Sequence, residues 1–342
     1  MTAPSIARAE PVRILSRADV EQVLDLSSCI DAVETALRAG ARGRARSGIL
    51  GVHARDGGLH AKAAYVEDEG DANSPSWFVA KLNSNFPRNP SQYGLPTIQG
   101  VLALFDGRCG RLVALMDSSA LTVIRTAAAT GVAARHLAPA DASSVTIIGC
   151  GAQAFVQMQA VALVRPIRRV LTIDAVLAAA DRLATRVRTE LGIDATARAA
   201  SHGRHDTDII VTCTSSRTPV LGVLDVRPGT FIAAVGADNE DKSEIEPELM
   251  ASSDVVVDSL AQASTIGDLH HAIAAGLMTA DEIRGELGTL LEGAPHNPRP
   301  NPRRTVIFDS TGVAVEDVAS AVLAFRRATV ANLGLMVTLG EV

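Results

Sequence analysis

The stretch Val145-Thr146-Ile147-Ile148-Gly149-Cys150-Gly151-Ala152-Gln153-Ala154 decides the fold. Its first four residues are β-branched and read as a buried strand. Gly149-x-Gly151-x-x-Ala154 then opens an apolar helical stretch over 153–163. The first glycine permits a tight turn, the second lets backbone approach a pyrophosphate, and the small third residue lets helix and strand pack closely. The free amides of the helix start attract the phosphate charge. Alone, such a glycine pattern is weak and also fits a turn that binds nothing; between a strand and a helix it is much stronger. The next strand-like run ends at Asp174, about where an acid binds the adenosine ribose hydroxyls, roughly 20 residues beyond the turn. Asp174 repels a 2′-phosphate, so the residues favour NAD over NADP while leaving NADP open.

Outward from this turn the rhythm is strand, helix, strand. Strands are expected at 145–148, 170–173, 209–213, 230–235, 255–258 and 306–308, and helices at 153–163 and 175–191. Alternation of this kind builds βαβ units and a parallel sheet. Before it, an Ala-rich helix is expected from Ser118 to Ala138, stopped by Pro139. The N-terminal part opens with two helices, capped at Ser16-x-x-Asp19 and at Ser28-x-x-Asp31. Short strands follow between Gly48 and Met116, at 59–65, 77–83, 97–105 and 112–116, with turns at Asp56-Gly57-Gly58 and Asp106-Gly107. They suggest a mostly antiparallel sheet. A last helix over 314–332 follows the final strand and returns to the first domain. The expected fold is α/β: a Rossmann-type doubly wound parallel sheet at 119–312, plus a discontinuous α+β domain from 1–118 with 313–342. Residues 296–304 (HNPRPNPRR) read as an exposed loop.

Composition narrows the function. Of 342 residues, 47% are apolar and only 3% aromatic, so the core rests on Ala, Val, Leu and Ile, as parallel strands buried on both faces require. A net charge of −6 and pI near 5.8 argue against a nucleic-acid partner. Cys29, Cys109, Cys150 and Cys213 are far apart with no C-x-x-C spacing, so neither a disulfide framework nor a zinc cluster is expected, and a reducing cytoplasm fits. The N-terminus lacks the apolar run of a secretion signal. The apolar stretch 112–138 contains Asp117, Arg125, Arg135 and His136, which marks buried protein helix rather than a membrane span.

Three charged residues stand where burial makes charge costly. Lys81 lies inside the strand WFVAKL (77–82), Arg125 inside the helix ALTVIRTAAA (120–129), and Asp238 just past the strand ending at Val235. A substrate carboxylate needs a cation, and Lys or Arg serves. Oxidation of an amine needs a base for the ammonium proton, which a carboxylate supplies. Asp238 falls at the carboxyl end of a parallel strand, where open α/β sheets bind ligands. Structural readings stay open for each: a lysine snorkelling to solvent, a structural ion pair, a turn-forming aspartate. No H-x-x-x-H occurs, and His270 and His271, being adjacent, are expected to point apart, so no metal is expected. Cys150 is expected to pack rather than react. Ser118-Ser119 and Ser215-Ser216 lack the G-x-S-x-G setting of a serine hydrolase.

Six ordered stretches carry a family resemblance: KLNSNFPRNP (81–90), GLPT (94–97), Met116-Asp117 with LTVIRTAAA (121–129), IGCGAQA (148–154), AVGAD (234–238) with Lys242, and FDSTG (308–312). Together they resemble the ornithine cyclodeaminase/μ-crystallin family over nearly the whole chain. The resemblance implies a homodimer formed through the N-terminal domain and C-terminal helix, and a Rossmann domain carrying NAD(P). It implies that Lys81 contacts a small amino or imino acid substrate, that Asp238 moves a proton, and that Arg125 lies between substrate carboxylate and cofactor. Thr97, Gly149, Gly151, Ala152, Gln153, Asp174, Thr214, Val235, Lys242 and Ser310 would line the dinucleotide, Thr311 the substrate, and Arg46, by a loose match, the substrate carboxylate. One departure bears on the reaction. Cyclodeaminases of the family carry a glutamate–x–methionine–proline stretch before the lysine strand, whereas this chain has LHAKA (59–63). The acid associated with cyclising ornithine is missing, and His60 and Lys62 stand there as carboxylate ligands. His60 also fits a half-buried strand histidine bonded to backbone. The likeness leans to the alanine dehydrogenases and imine reductases, with cyclodeamination or non-catalytic dinucleotide binding as the other readings.

Overall fold

A computed structural model describes residues 10–67, 75–200, 203–293 and 303–339; the loop expected at 296–304 falls mostly outside them. The chain forms two compact units, Met1–Ile124 with Ala314–Val342 and Arg125–Val313.

The first unit begins with β1 (Val12–Leu15) and the helix Arg17–Val23. Ser16 Oγ accepts from the amide of Asp19, and the Asp19 carboxylate accepts from the amide of Ser16 at 2.8 Å, the reciprocal cap expected there. The second helix, Leu26–Ala41, is capped by Asp25 and not by Ser28. Asp25 accepts from the Ser28 amide at 2.8 Å and from the guanidinium of Arg327, so a carboxylate with a distant cation outcompetes the serine hydroxyl. Its apolar stripe, Cys29, Ile30, Val33, Ala36 and Leu37, is buried. Then come β2 (Ala45–Ala54), β3 (Gly57–Glu67), β4 (Ser76–Asn85), β5 (Ile98–Asp106) and β6 (Leu112–Asp117). Alternation of strand side chains puts Ala64, Val66, Val79, Leu102 and Leu104 on one buried face.

The helix Ser118–Leu137 leads into the second unit, with Ala127, Ala128, Ala129, Val132, Ala133 and Ala134 fully buried. Eight strands follow: β7 (Ser144–Ile148), β8 (Arg169–Asp174), β9 (Asp194–Ala199), β10 (Ile209–Thr212), β11 (Phe231–Ala234), β12 (Asp254–Val257), β13 (Gly285–Glu286) and β14 (Val306–Asp309). All pairings are parallel, in the order β13-β12-β14-β11-β10-β7-β8-β9. The winding reverses between β7 and β10, which opens a crevice beyond their carboxyl ends. The helix Ala154–Val164 rises out of β7. The helix expected over 175–191 is instead α-helical over Leu177–Arg186 and widens into a π-helical turn, Val187–Leu191, ended by Gly192 at φ +68°.

After β14 the chain returns to the first unit as the helix Ala314–Val330 and β15 (Leu335–Val337). That unit's sheet runs β15-β1-β6-β5-β4-β3-β2, antiparallel except for the β1–β6 pair. The helices Leu26–Ala41 and Ala314–Val330 pack on each other and on its buried face, with Cys29 Sγ 3.1 Å from Ser320 Oγ. The opposite face is open and apolar: Leu50, Ala61, Leu82 and Val101 are successive cross-strand partners in one row. Leu50 is 63% exposed and Leu82 42%. Among the described residues no helix is long and apolar enough to cross a membrane.

Candidate active site

In the second unit the glycine turn sits directly after β7. Gly149 has φ +92°, and a Cβ there would come within 2.8 Å of Thr214 Cγ2 and 2.9 Å of the Cys213 carbonyl oxygen. Only glycine fits. At Gly151 an added Cβ meets nothing within 4 Å, so the missing side chain serves the approach of a ligand rather than chain packing. The turn opens on a crevice of about 770 Å³ lined by Gly149, Gly151, Ala152, Gln153, Asp174 and Thr214, among others. Gln153 caps the Ala154–Val164 helix without a side-chain bond, which leaves first-turn amides for an anion. Asp174, at the end of β8, accepts from the Cys150 amide at 2.7 Å and the Val176 amide at 2.8 Å. These bonds fix the carboxylate beside the glycine turn. Burial, helped by the charge of Asp174, pushes the Cys150 thiol up to about 12; Cys150 therefore stays a protonated packing group.

The loops beyond β10, β11 and β14 carry further expected residues. Asp238 lies past β11 with its side chain 54% exposed and pairs with Lys242 at 2.7 Å. Val235 is buried, and its amide continues the sheet ladder to Thr212. Past β14, Ser310 is buried and its Oγ has no hydrogen-bond partner. Thr311 Oγ1 donates to Asp258 at 2.8 Å and accepts from Gln262 Nε2 at 2.9 Å, so this hydroxyl is already committed within the protein. Asp258 also takes the Gly312 amide at 2.6 Å. Gly312 has φ +77°, and a Cβ there would lie 2.6 Å from Arg125 Nη1: the buried guanidinium rests on bare backbone.

Beneath these loops lie buried acids. Glu244 accepts from the amides of Thr214 at 2.5 Å and Gly236 at 2.8 Å, and from Thr212 Oγ1 at 2.7 Å. Burial pushes its carboxyl up while these bonds pull it back. Asp268 accepts from the amides of Glu244 and Ile245, at 2.7 and 3.0 Å. Burial, then the charge of Glu244, raises Asp268 to about 7. Asp309, fully buried, is raised well above the carboxylate range by burial and then by Asp268. Asp268 Oδ2 and Asp309 Oδ1 have no hydrogen-bond partner. His270 and His271 do not point apart: their rings lie 3.9 Å from each other, turned together by bonds to the Gly267 and Lys242 carbonyls.

In the first unit Lys81 is 3% exposed on the buried face of β4, and its ammonium meets Asp317 of the Ala314–Val330 helix at 2.8 Å. Lys62 stands directly opposite Lys81 on β3, and His60 opposite Asn83, all on that same face. Two lysines so placed repel, and Asp317 supplies the counter-charge at one of them. Arg46 does not join them. Its register partners are Tyr65 and, one strand on, Phe78, which puts it on the open face of the sheet. A strand residue's face follows from register, and this register turns Arg46 away from Lys81. Thr97 precedes β5 and accepts through its carbonyl from the Phe86 amide at 2.8 Å. Sequence reasoning missed Glu244, Asp258, Gln262 and Asp317. Two carried a readable sign: Asp258 ends the run Val255-Val256-Val257, and Asp317 interrupts the apolar stripe of Val315, Val318 and Ala321.

Comparisons with known proteins give the fold close counterparts. An archaeal alanine dehydrogenase dimer with bound NAD superposes with a TM-score of 0.90 at 32% identity, covering 96% of this chain and 100% of that one. The Δ1-pyrroline-2-carboxylate reductase of Thermococcus litoralis, in complex with NADH and L-proline, gives 0.88 at 29% identity, covering 95% and 99%. The iminosuccinate reductase of Paracoccus denitrificans is 32% identical over 308 residues, 90% of this chain and 94% of that protein. The ornithine cyclodeaminase/mu-crystallin family model matches residues 11–331. The chain belongs to the ornithine cyclodeaminase/mu-crystallin family.

Proposed function

We propose that the chain is an NAD-dependent oxidoreductase that reduces the C=N bond of a small α-imino acid, or oxidises the matching α-amino acid. The observation that carries this reading is Asp238, an accessible carboxylate at the carboxyl edge of the sheet whose glycine turn forms the crevice. The relatives named above, which act on alanine, iminosuccinate and pyrroline-2-carboxylate, support it. The crevice fits a dinucleotide: Gly149, Gly151, Ala152 and Gln153 take the diphosphate, Asp174 the adenosine ribose and Thr214 a further part, and the family resemblance adds Thr97, Val235, Lys242 and the Ser310 hydroxyl to its ligands. Asp174 favours NAD over NADP.

Bound NADH supplies the hydride. Lys81 and Arg125 hold the substrate carboxylate, with His60 and Lys62 as its further proposed ligands. Asp238, in its acid form, gives its proton to the imine nitrogen, and as the carboxylate it takes the proton back from the ammonium in the oxidative direction. Such proton transfer contributes about 10²–10⁴-fold. Thr311 contacts the substrate, its hydroxyl held in place by Asp258 and Gln262 and keeping one acceptor lone pair. Arg46 is left out because it faces the other way. The active form is a homodimer, as the alanine dehydrogenase neighbour is a dimer, and the exposed apolar row of the first unit is the surface that suits its interface; the four free cysteines suit a reducing cytoplasm.

The test is NADH or NADPH consumption with pyruvate plus ammonia, pyruvate plus methylamine, and pyrroline-2-carboxylate. NADH oxidation with at least one of these is expected, and no turnover across the panel overturns the reading. Ornithine or lysine giving proline or pipecolate plus ammonia, without accumulating NADH, would make the chain a cyclodeaminase instead. Tight NADH binding with no reaction on any amino or imino acid would leave it a binding protein.

A further inference from the structure

We propose that Glu244 is a positioning residue for the reaction: its carboxylate ties the loop carrying Thr214 to the loop carrying Asp238, and so sets the proton-moving acid relative to the dinucleotide. The inference rests on Asp238 having that role.

The parallel ladder stops where Glu244 takes over. The amides of Cys213 and Val235 still bond to the neighbouring strands, at Ile148 O and Thr212 O, 2.9 Å each. The next amides, of Thr214 and Gly236, lie past the strand ends and bond instead to Oε1 and Oε2 of Glu244. One side chain thus replaces two missing rungs, on two different strands. A carboxylate can do this because both its oxygens accept. A glutamine would set an amide donor against a backbone donor at one of the two loops.

The contacts continue in both directions. The Thr214 side chain lies against Gly149, the first residue of the diphosphate turn. The Gly236 carbonyl accepts from the Asp238 amide at 3.1 Å. A Cβ added at Gly236 would overlap both the Thr214 carbonyl and the Glu244 carboxylate, so the approach of the two loops requires glycine there. From behind, Asp268 holds the backbone amide of Glu244 itself at 2.7 Å. Turn, clamp and proton-carrying loop form one connected series, and only its far end touches the reacting nitrogen.

Two variants, E244Q and G236A, disturb the clamp from opposite sides. Each is measured for kcat with the fastest substrate of the panel at saturating NADH, for NADH Kd by fluorescence, and for cooperative thermal unfolding. Because the diphosphate turn stays intact, Kd should rise by less than about fivefold. A proton donor displaced by a fraction of an ångström to an ångström should lower kcat by about 10²-fold. A folded E244Q with kcat within about threefold of wild type overturns the inference, as does a kcat loss no larger than the loss of NADH affinity. If E244Q fails to fold, G236A decides by the same limits. The variant D238N separates this inference from the reading beneath it. Wild-type turnover in D238N removes both, whereas an inactive D238N beside fully active E244Q and G236A removes the clamp alone.

Discussion

Asp238 and Lys81 show how differently the two units use a charged side chain. Asp238 is accessible, paired with Lys242 and bonded by the Asn239 side-chain amide, while Lys81 is buried and neutralised by Asp317. A proton carrier must exchange with its surroundings; a carboxylate ligand must hold still. Changing Asp238→Asn should therefore lower turnover by about 10²–10⁴-fold with NADH Kd changed less than about threefold. Steady-state rates and a fluorescence titration check this, and unchanged kcat removes Asp238 from catalysis. At this scale the glycine turn was legible because strand, turn and helix are local features. Asp317 was not, because its partner lies 236 residues away in the chain. The face that Arg46 takes was not legible for a related reason: a strand's register assigns its face, and nothing within 45–54 fixes that register.

Among elements, the short helix Asp268–Ala274 has an unusual start, since Asp268 opens it fully buried and its Oδ2 has no hydrogen-bond partner, as is also true of Asp309 Oδ1 on β14. Both groups hold a proton more tightly in the folded chain than in the unfolded one, so their contribution to stability is complete below the ordinary carboxylate range, near pH 4. It is lost as pH rises through the folded value, about 7 for Asp268. The melting temperature of the wild-type protein should fall by several degrees between pH 5 and 8. In D268N, which mimics the protonated acid, the fall should be smaller. Calorimetry across that range checks it, and parallel curves for the two proteins would refute it. The same scale shows what patterning reveals. The β-branched runs of β7, β10, β12 and β14 announced themselves, whereas β9, Asp194-Ala195-Thr196-Ala197-Arg198-Ala199, is built of small and charged residues and takes its form from pairing with β8.

For the whole molecule, alternation of strands and helices was enough to reveal a parallel α/β fold, because every βαβ unit repeats the signal. What alternation leaves open is the use of the first unit's bare sheet face. The row Leu50–Ala61–Leu82–Val101 spans four strands, and an apolar surface of that kind marks an interface. A charge in its middle, Leu82→Glu, should convert the proposed homodimer to a monomer in analytical ultracentrifugation while the circular dichroism spectrum stays as in wild type. A dimer of undiminished affinity would place the interface elsewhere. The return of the chain has a further consequence. The strands β3 to β5 are made early, yet the helix that covers them, Ala314–Val330, comes near the end of the chain. During synthesis every strand of the parallel sheet is therefore translated while Val79 and Leu102 still await their cover, and the first part translated is among the last to close.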